Sequence, residues 1–165
     1  MSDDKLELTA FHEAGHAVMA LAVGRVVNKV DVQAKGTRLG VCKMSKGRAG
    51  KAKSSKASAD NLEGELLILL GGMAAEARKS GRYNMQGASQ DLREAEKLAM
   101  MRAGNANQAG KVLKRAMDKV HHLLSKPEVW GAVKVIAAGL VENSSMNGKE
   151  AKHLYELELA KVSKK

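Results

Sequence analysis

The sequence predicts a mainly α-helical domain with one small β-sheet near its N-terminus. Three observations carry that prediction. Apolar residues recur at helical spacing through most of the chain. Aromatic residues are scarce, with only Phe11, Tyr83, Trp130 and Tyr155, so the core must be built from Ala, Leu, Val and Met, which suit close-packed helices. Only two stretches, 25–34 and 37–44, are short, β-branched and alternating in the manner of strands.

In chain order, residues 5–24 form an amphipathic pattern that ends at Gly24, a natural C-cap. "RVVNKVDVQA" and "TRLGVCKM" follow as two strands separated by Lys35 and Gly36. "SKGRAGKAKSSKA", residues 45–57, has no large apolar residue and predicts a basic flexible loop. Ser58 then suits the N-cap of a helix from Ala59 to about Lys79, whose Leu62, Leu66, Leu69, Leu70 and Met73 share a face. Further helices are expected at 89–102 and 107–124, and after Pro127, which fits a first helical turn. Asn147 with Glu150 three residues on resembles a capping box for a last helix reaching about Ala160, with 161–165 as a frayed tail.

The 165 residues suffice for one domain with a real core, and 44% hydrophobic content excludes global disorder. A single cysteine, Cys42, excludes an internal disulfide and a multi-cysteine zinc site, and fits a reducing compartment. The acidic opening "MSDDKLEL" does not read as a signal peptide. The longest apolar run, "LLILLGGMAA", is about half of the roughly 20 residues a membrane span needs. A cytoplasmic protein with no membrane span is therefore expected. Of the net charge of +10, most belongs to one segment: residues 35–56 hold eight basic side chains and no acidic one. Such a segment attracts polyanions, but it carries no aromatic residue for base stacking, which argues against nucleic acid and for a solvated loop.

The chemistry is concentrated in "AFHEAGHAV", residues 10–18. On a helix His12 and His16 share a face one turn apart, so both imidazoles can point at one ion. Glu13 is offset around the helix and need not be a ligand; it can take a proton from water activated by the ion. This is the H-E-x-x-H arrangement of zinc peptidases. The competing reading is a chance cluster in a packed helix. A catalytic zinc normally has three protein ligands and an open position. His121, His122 and His153 lie on late helices and read as surface residues, and no second histidine or glutamate follows closely downstream.

"FHEAGHAV", "LLGGMAAEA" and "GASQDLREA", in that order, resemble the zinc-peptidase domain of the FtsH family of AAA+ proteases. "VNKVDVQAKGTRLGVCKM" resembles the family's strand pair and "KVIAAGLVENSSMNGKEAKHLY" its closing helices, so the likeness runs from Leu6 to Tyr155. The resemblance implies one Zn²⁺ per chain held by His12, His16 and Asp91, with Glu13 as catalytic base. Glu76, in "AAEA", is a candidate to orient a ligating imidazole, against the plainer reading of a helix-surface glutamate. Residues 37–44, with Leu39, Gly40, Val41 and Cys42 at their centre, are the expected edge strand for an extended polypeptide substrate.

The family's other parts, membrane helices and an ATPase, have no counterpart in these residues. "GRAGKA" lacks the spacing of a phosphate-binding loop. Cleavage of peptides and unfolded segments is thus expected, with folded substrates requiring a separate AAA+ ATPase. The resemblance also implies a homo-oligomer, a six-membered ring. The basic "SKGRAGKAKSSKAS" replaces an acidic, proline-containing stretch of the family, and Met85, Gln86 and Gln90 also depart from its pattern. These changes bear on substrate fit and leave the ligand set intact. Two other readings stand beside the peptidase: a non-catalytic binding or regulatory module of the same fold, and a polyanion-binding protein with a structural metal.

Overall fold

A computed structural model describes residues 2–33, 41–44 and 55–163 of the chain. Six helices, α1 (Asp3–Ala22), α2 (Ser55–Ser80), α3 (Ser89–Ala103), α4 (Ala106–Ser125), α5 (Pro127–Asn143) and α6 (Gly148–Ser163), accompany three short strands, β1 (Val27–Asp31), β2 (Val41–Met44) and β3 (Ser145–Asn147).

Helix α1 is the centre of the fold. From Thr9 to Ala20 every residue is buried except His12, which is half-buried. Small side chains on this helix (Ala10, Ala14, Ala17 and Ala20 are all fully buried) let α2 and α5 pack closely on it. Where α1 and α2 cross, glycine faces glycine. A Cβ on Gly15 would fall 2.4 Å from the Gly71 carbonyl oxygen, so any side chain there would push the two backbones apart. Beside the crossing, Arg78 lies 4.7 Å over the Trp130 ring and Lys79 lies 5.2 Å over Phe11, tying the end of α2 to α5 and α1. Arg25 and Glu65 form an ion pair between the end of α1 and α2.

The sheet has the order β2-β1-β3, antiparallel throughout, and rests against α1 and α6. Of the two strands expected from the alternation, the first is present but shorter, Val27–Asp31 rather than 25–34, and the second is present in its described part, Val41–Met44. The third is not legible in the sequence, because three residues are too few for a period-2 pattern. β3 pairs Met146 with Val30, and its last residue caps α6: Asn147 Oδ1 accepts from the Glu150 N–H at 2.9 Å. Asn147 thus serves both elements.

Two helix ends differ most from expectation. Helix α2 begins at Ser55, so residues 55–57 are helix and Ser58 is not its N-cap. Lys and Ala are good helix formers, so a lack of large apolar residues there does not exclude a helix. The remainder of the expected loop, 45–54, lies outside the described residues. At the other end α6 continues to Ser163, three residues beyond the expected stop; only 164–165 of the anticipated tail lie outside the described residues. Among the described residues, no helix is long and apolar enough to cross a membrane.

Candidate metal centre

Three elements meet at one point. α1 contributes His12, Glu13 and His16, α2 passes behind them with Gly72 and Glu76, and the first turn of α3 brings Asp91. His12 Nε2 and His16 Nε2 each lie 3.2 Å from the same oxygen, Asp91 Oδ2. The His12 and His16 rings stand edge to face, 4.8 Å between centroids. Three donor atoms, one from each of His12, His16 and Asp91, fall within 4.8 Å of one another.

This spacing fits a tetrahedral zinc ion. Two donors each at the Zn–ligand distance of about 2.0–2.1 Å are about 3.4 Å apart across a tetrahedral edge, close to the observed separations. The tautomers fit as well. His16 Nδ1 sits 2.6 Å from the Ile68 carbonyl oxygen, which can only accept, so Nδ1 carries a hydrogen and Nε2 is the nitrogen that faces the cluster. His12 Nδ1 is likewise committed, 2.9 Å from Glu76 Oε2. The other Glu76 oxygen accepts from Asn84 Nδ2 at 3.2 Å. Space fits too: a Cβ on Gly72 would lie 2.4 Å from His16 Nε2 and 2.8 Å from His12 Nε2, so glycine keeps the α2 side of the cluster clear. Asp91, the most exposed of the three at 25%, marks the side open to solvent.

The electrostatics favour positive charge at this point. Burial works against a charged His12, yet hydrogen bonds to Asp91 and Glu76 and the nearby Glu13 raise its pKa from 6.5 to about 10. Burial likewise works against a charged Asp91, yet hydrogen bonds from His12 and His16 hold its carboxyl well below the usual carboxylate range. Glu13 and Glu76 are both buried, at 6% and 7% exposure. A buried cluster richer in carboxylates than in cations is one that a divalent ion would relieve.

The sequence-derived residues His12, Glu13, His16, Glu76 and Asp91 are thus brought together. Val41 and Cys42 lie in β2, at an edge of the sheet formed by the described residues, whereas Leu39 and Gly40 lie outside the described residues. His121, His122 and His153 are exposed and away from the cluster, as expected of surface histidines. Three participants were not read from the sequence: Gly72, the Ile68 carbonyl and Asn84. The first had a visible signal in the Gly-Gly pair inside a helix, which costs about 1 kcal/mol per glycine relative to alanine and calls for a packing reason.

Two imidazoles one helical turn apart, a carboxylate completing the triad and a buried glutamate beside it form the kind of site that metallopeptidases use. The sequence pattern of peptidase family M41 matches residues 1–119, and the chain belongs to that family. It is an FtsH-type peptidase domain. It is 32% identical over 102 residues to the ATP-dependent zinc metalloprotease FtsH 4 of Sorangium cellulosum. Over 103 residues it is 34% identical to the FtsH of Caulobacter vibrioides, and over 101 residues 37% identical to that of Rubrobacter xylanophilus. Each match covers 60% of this chain but only 15–16% of the relative.

Proposed function

We propose that the chain is a zinc-dependent endopeptidase that cleaves peptides and unfolded polypeptide segments. The observation that carries this reading is the convergence of His12 Nε2 and His16 Nε2 on Asp91 Oδ2 while both Nδ1 atoms are committed elsewhere. In this reading His12, His16 and Asp91 hold one Zn²⁺. When bound, the ion supplies a Lewis acid that makes water nucleophilic near neutral pH and polarises the scissile carbonyl.

The chain's own residues do the rest. Glu13 follows His12 in sequence and is rotated about 100° from it around α1, near enough to raise its basicity but not part of the converging triad. It is the general base that takes the proton of the attacking water and returns it to the leaving amine. Glu76 holds the His12 ring in orientation through Nδ1. β2, as a sheet edge among the described residues, offers main-chain groups to an extended substrate, which gives hydrogen bonding with little side-chain preference. Three relatives are named ATP-dependent, so a separate AAA+ ATPase that feeds folded substrates, and a ring of copies, belong to the same proposal. The lone cysteine fits a cytoplasmic setting.

The test is metal content of the purified chain together with cleavage of unfolded casein, with and without a chelator. About one zinc per chain and chelator-sensitive cleavage support the proposal. Zinc without cleavage favours the binding-module reading, and absence of zinc from protein refolded in its presence refutes the ligand assignment.

A further inference from the structure

The helix carrying Glu76 and the turn leading to Asp91 are joined by one side chain, that of Asn84. Asn84 Oδ1 accepts from the Gly87 backbone N–H at 2.9 Å, and its Nδ2 donates to Glu76 Oε1 at 3.2 Å. The Asn84 carbonyl also accepts from the Ala88 N–H at 3.1 Å, which closes the turn just before α3 and Asp91.

The direction of these bonds is fixed by chemistry. A backbone N–H can only donate, so the atom facing Gly87 must be the amide oxygen, and the amide nitrogen must face Glu76. Glu76 then accepts on both oxygens, from Asn84 through Oε1 and from His12 Nδ1 through Oε2. A hydrogen held on Nδ1 leaves Nε2, the atom that faces Asp91, as the coordinating nitrogen of His12. Glu76 thereby sets the tautomer of His12, and Asn84 ties that carboxylate to the Gly87 amide in the turn just before the third ligand's helix.

We infer that Asn84 is a positioning residue of the metal centre, aligning Glu76 with His12 and coupling that alignment to the turn that presents Asp91. The inference rests on the reading of His12, His16 and Asp91 as zinc ligands. Gly87 belongs to the same device. A Cβ there would lie 2.5 Å from Asn84 Nδ2, the atom that must reach Glu76, so a glycine is needed for the amide to keep its orientation. Asn84 and Gly87 are both exposed residues, so the fold does not need them for its core.

The experiment is a double-mutant cycle on zinc affinity, measured by competition of the metal-free full chain against a chromophoric chelator. N84A is expected to weaken zinc binding about tenfold, the lower end of what outer-shell partners of metal-bound histidines contribute. G87A is expected to do the same while leaving Asn84 in place. In an E76A background N84A is expected to change affinity less than about twofold, because its route to the ion is gone. Melting curves of the metal-free variants confirm that each is folded. An N84A protein that binds zinc within about twofold of wild type overturns the inference, as does an equal loss in both backgrounds, the signature of a merely structural role. Wild-type protein that takes up no zinc overturns the ligand reading, and this inference with it; loss of effect in N84A alone overturns only the inference.

Discussion

Gly72→Ala adds one methyl group at the heart of the cluster, and its effects on folding and on metal binding should separate. The new carbon would stand 2.4 Å from His16 Nε2, 2.7 Å from its Cε1 and 2.8 Å from His12 Nε2. Ordinary contact needs about 3.4 Å or more, so the His16 ring must retreat by about 1 Å, whereas metal–ligand distances tolerate only about 0.2 Å. Zinc affinity should fall at least about 100-fold, or about 2.8 kcal/mol. For the metal-free fold, a displaced His16 weakens its bond to the Ile68 carbonyl, about 1 kcal/mol. Replacing glycine by alanine inside a helix returns up to about 1 kcal/mol. The net change in apo stability is therefore small. Chelator competition reads the first quantity and denaturant melts of metal-free protein the second. A G72A protein that binds zinc within about threefold of wild type would refute the placement of the ion between the two Nε2 atoms.

Glu13→Gln should retain one zinc per chain and lose about 10²–10⁴ in turnover of unfolded casein, since it removes the base and leaves the ligands; normal turnover would remove Glu13 from its role. Asp91→Ala should lose zinc affinity by at least about 100-fold, and unchanged zinc content would place the third ligand elsewhere. Zinc affinity should also rise with pH. His12 holds its proton up to about 10 in the metal-free protein, so each ion bound below that pH displaces it, and log affinity climbs by about one per pH unit. A flat profile between pH 6 and 9, measured against a competitor corrected for its own protonation, would contradict that raised pKa.

What the sequence disclosed, and what it concealed, follows from the range of each interaction. His12, Glu13 and His16 are legible because an i, i+4 pair on a helix is a local pattern, and local geometry fixes which side chains share a face. Asp91 lies 79 positions from His12, and no spacing rule reaches that far; the resemblance to the FtsH family supplied it. Glu76 reads from sequence equally as surface or site, since helical periodicity gives a face but not what lies opposite it. Asn84 and the Ile68 carbonyl were invisible, one as a common turn residue and the other as backbone. The same distinction runs through the fold. Helices with a strong apolar stripe, such as α4 with Ala109, Ala116, Val120 and Leu124 buried, were placed to within a residue or two. β3 and the first turn of α2 were missed because neither is marked by apolar periodicity.

The charge arrangement explains why such a costly cluster persists in the middle of the fold. In metal-free protein the raised His12 pKa contributes stability that is complete below pH 6.5 and is lost as pH rises through about 10. Asp91, held low, contributes stability above its ordinary range and loses it only in strong acid. Protons therefore hold the carboxylates of Asp91 and Glu76 together with His12 at mildly acid and neutral pH. In the proposed reading a divalent ion would take the place of the proton on His12 Nε2, with Nδ1 still bonded to Glu76. The donor atoms are thus already gathered in the metal-free protein, and in the proposed reading a divalent ion would replace one proton and add one net positive charge among the carboxylates. Preorganisation of this kind needs a rigid support, and the glycine-to-glycine crossing of α1 and α2 supplies it directly behind the two histidines.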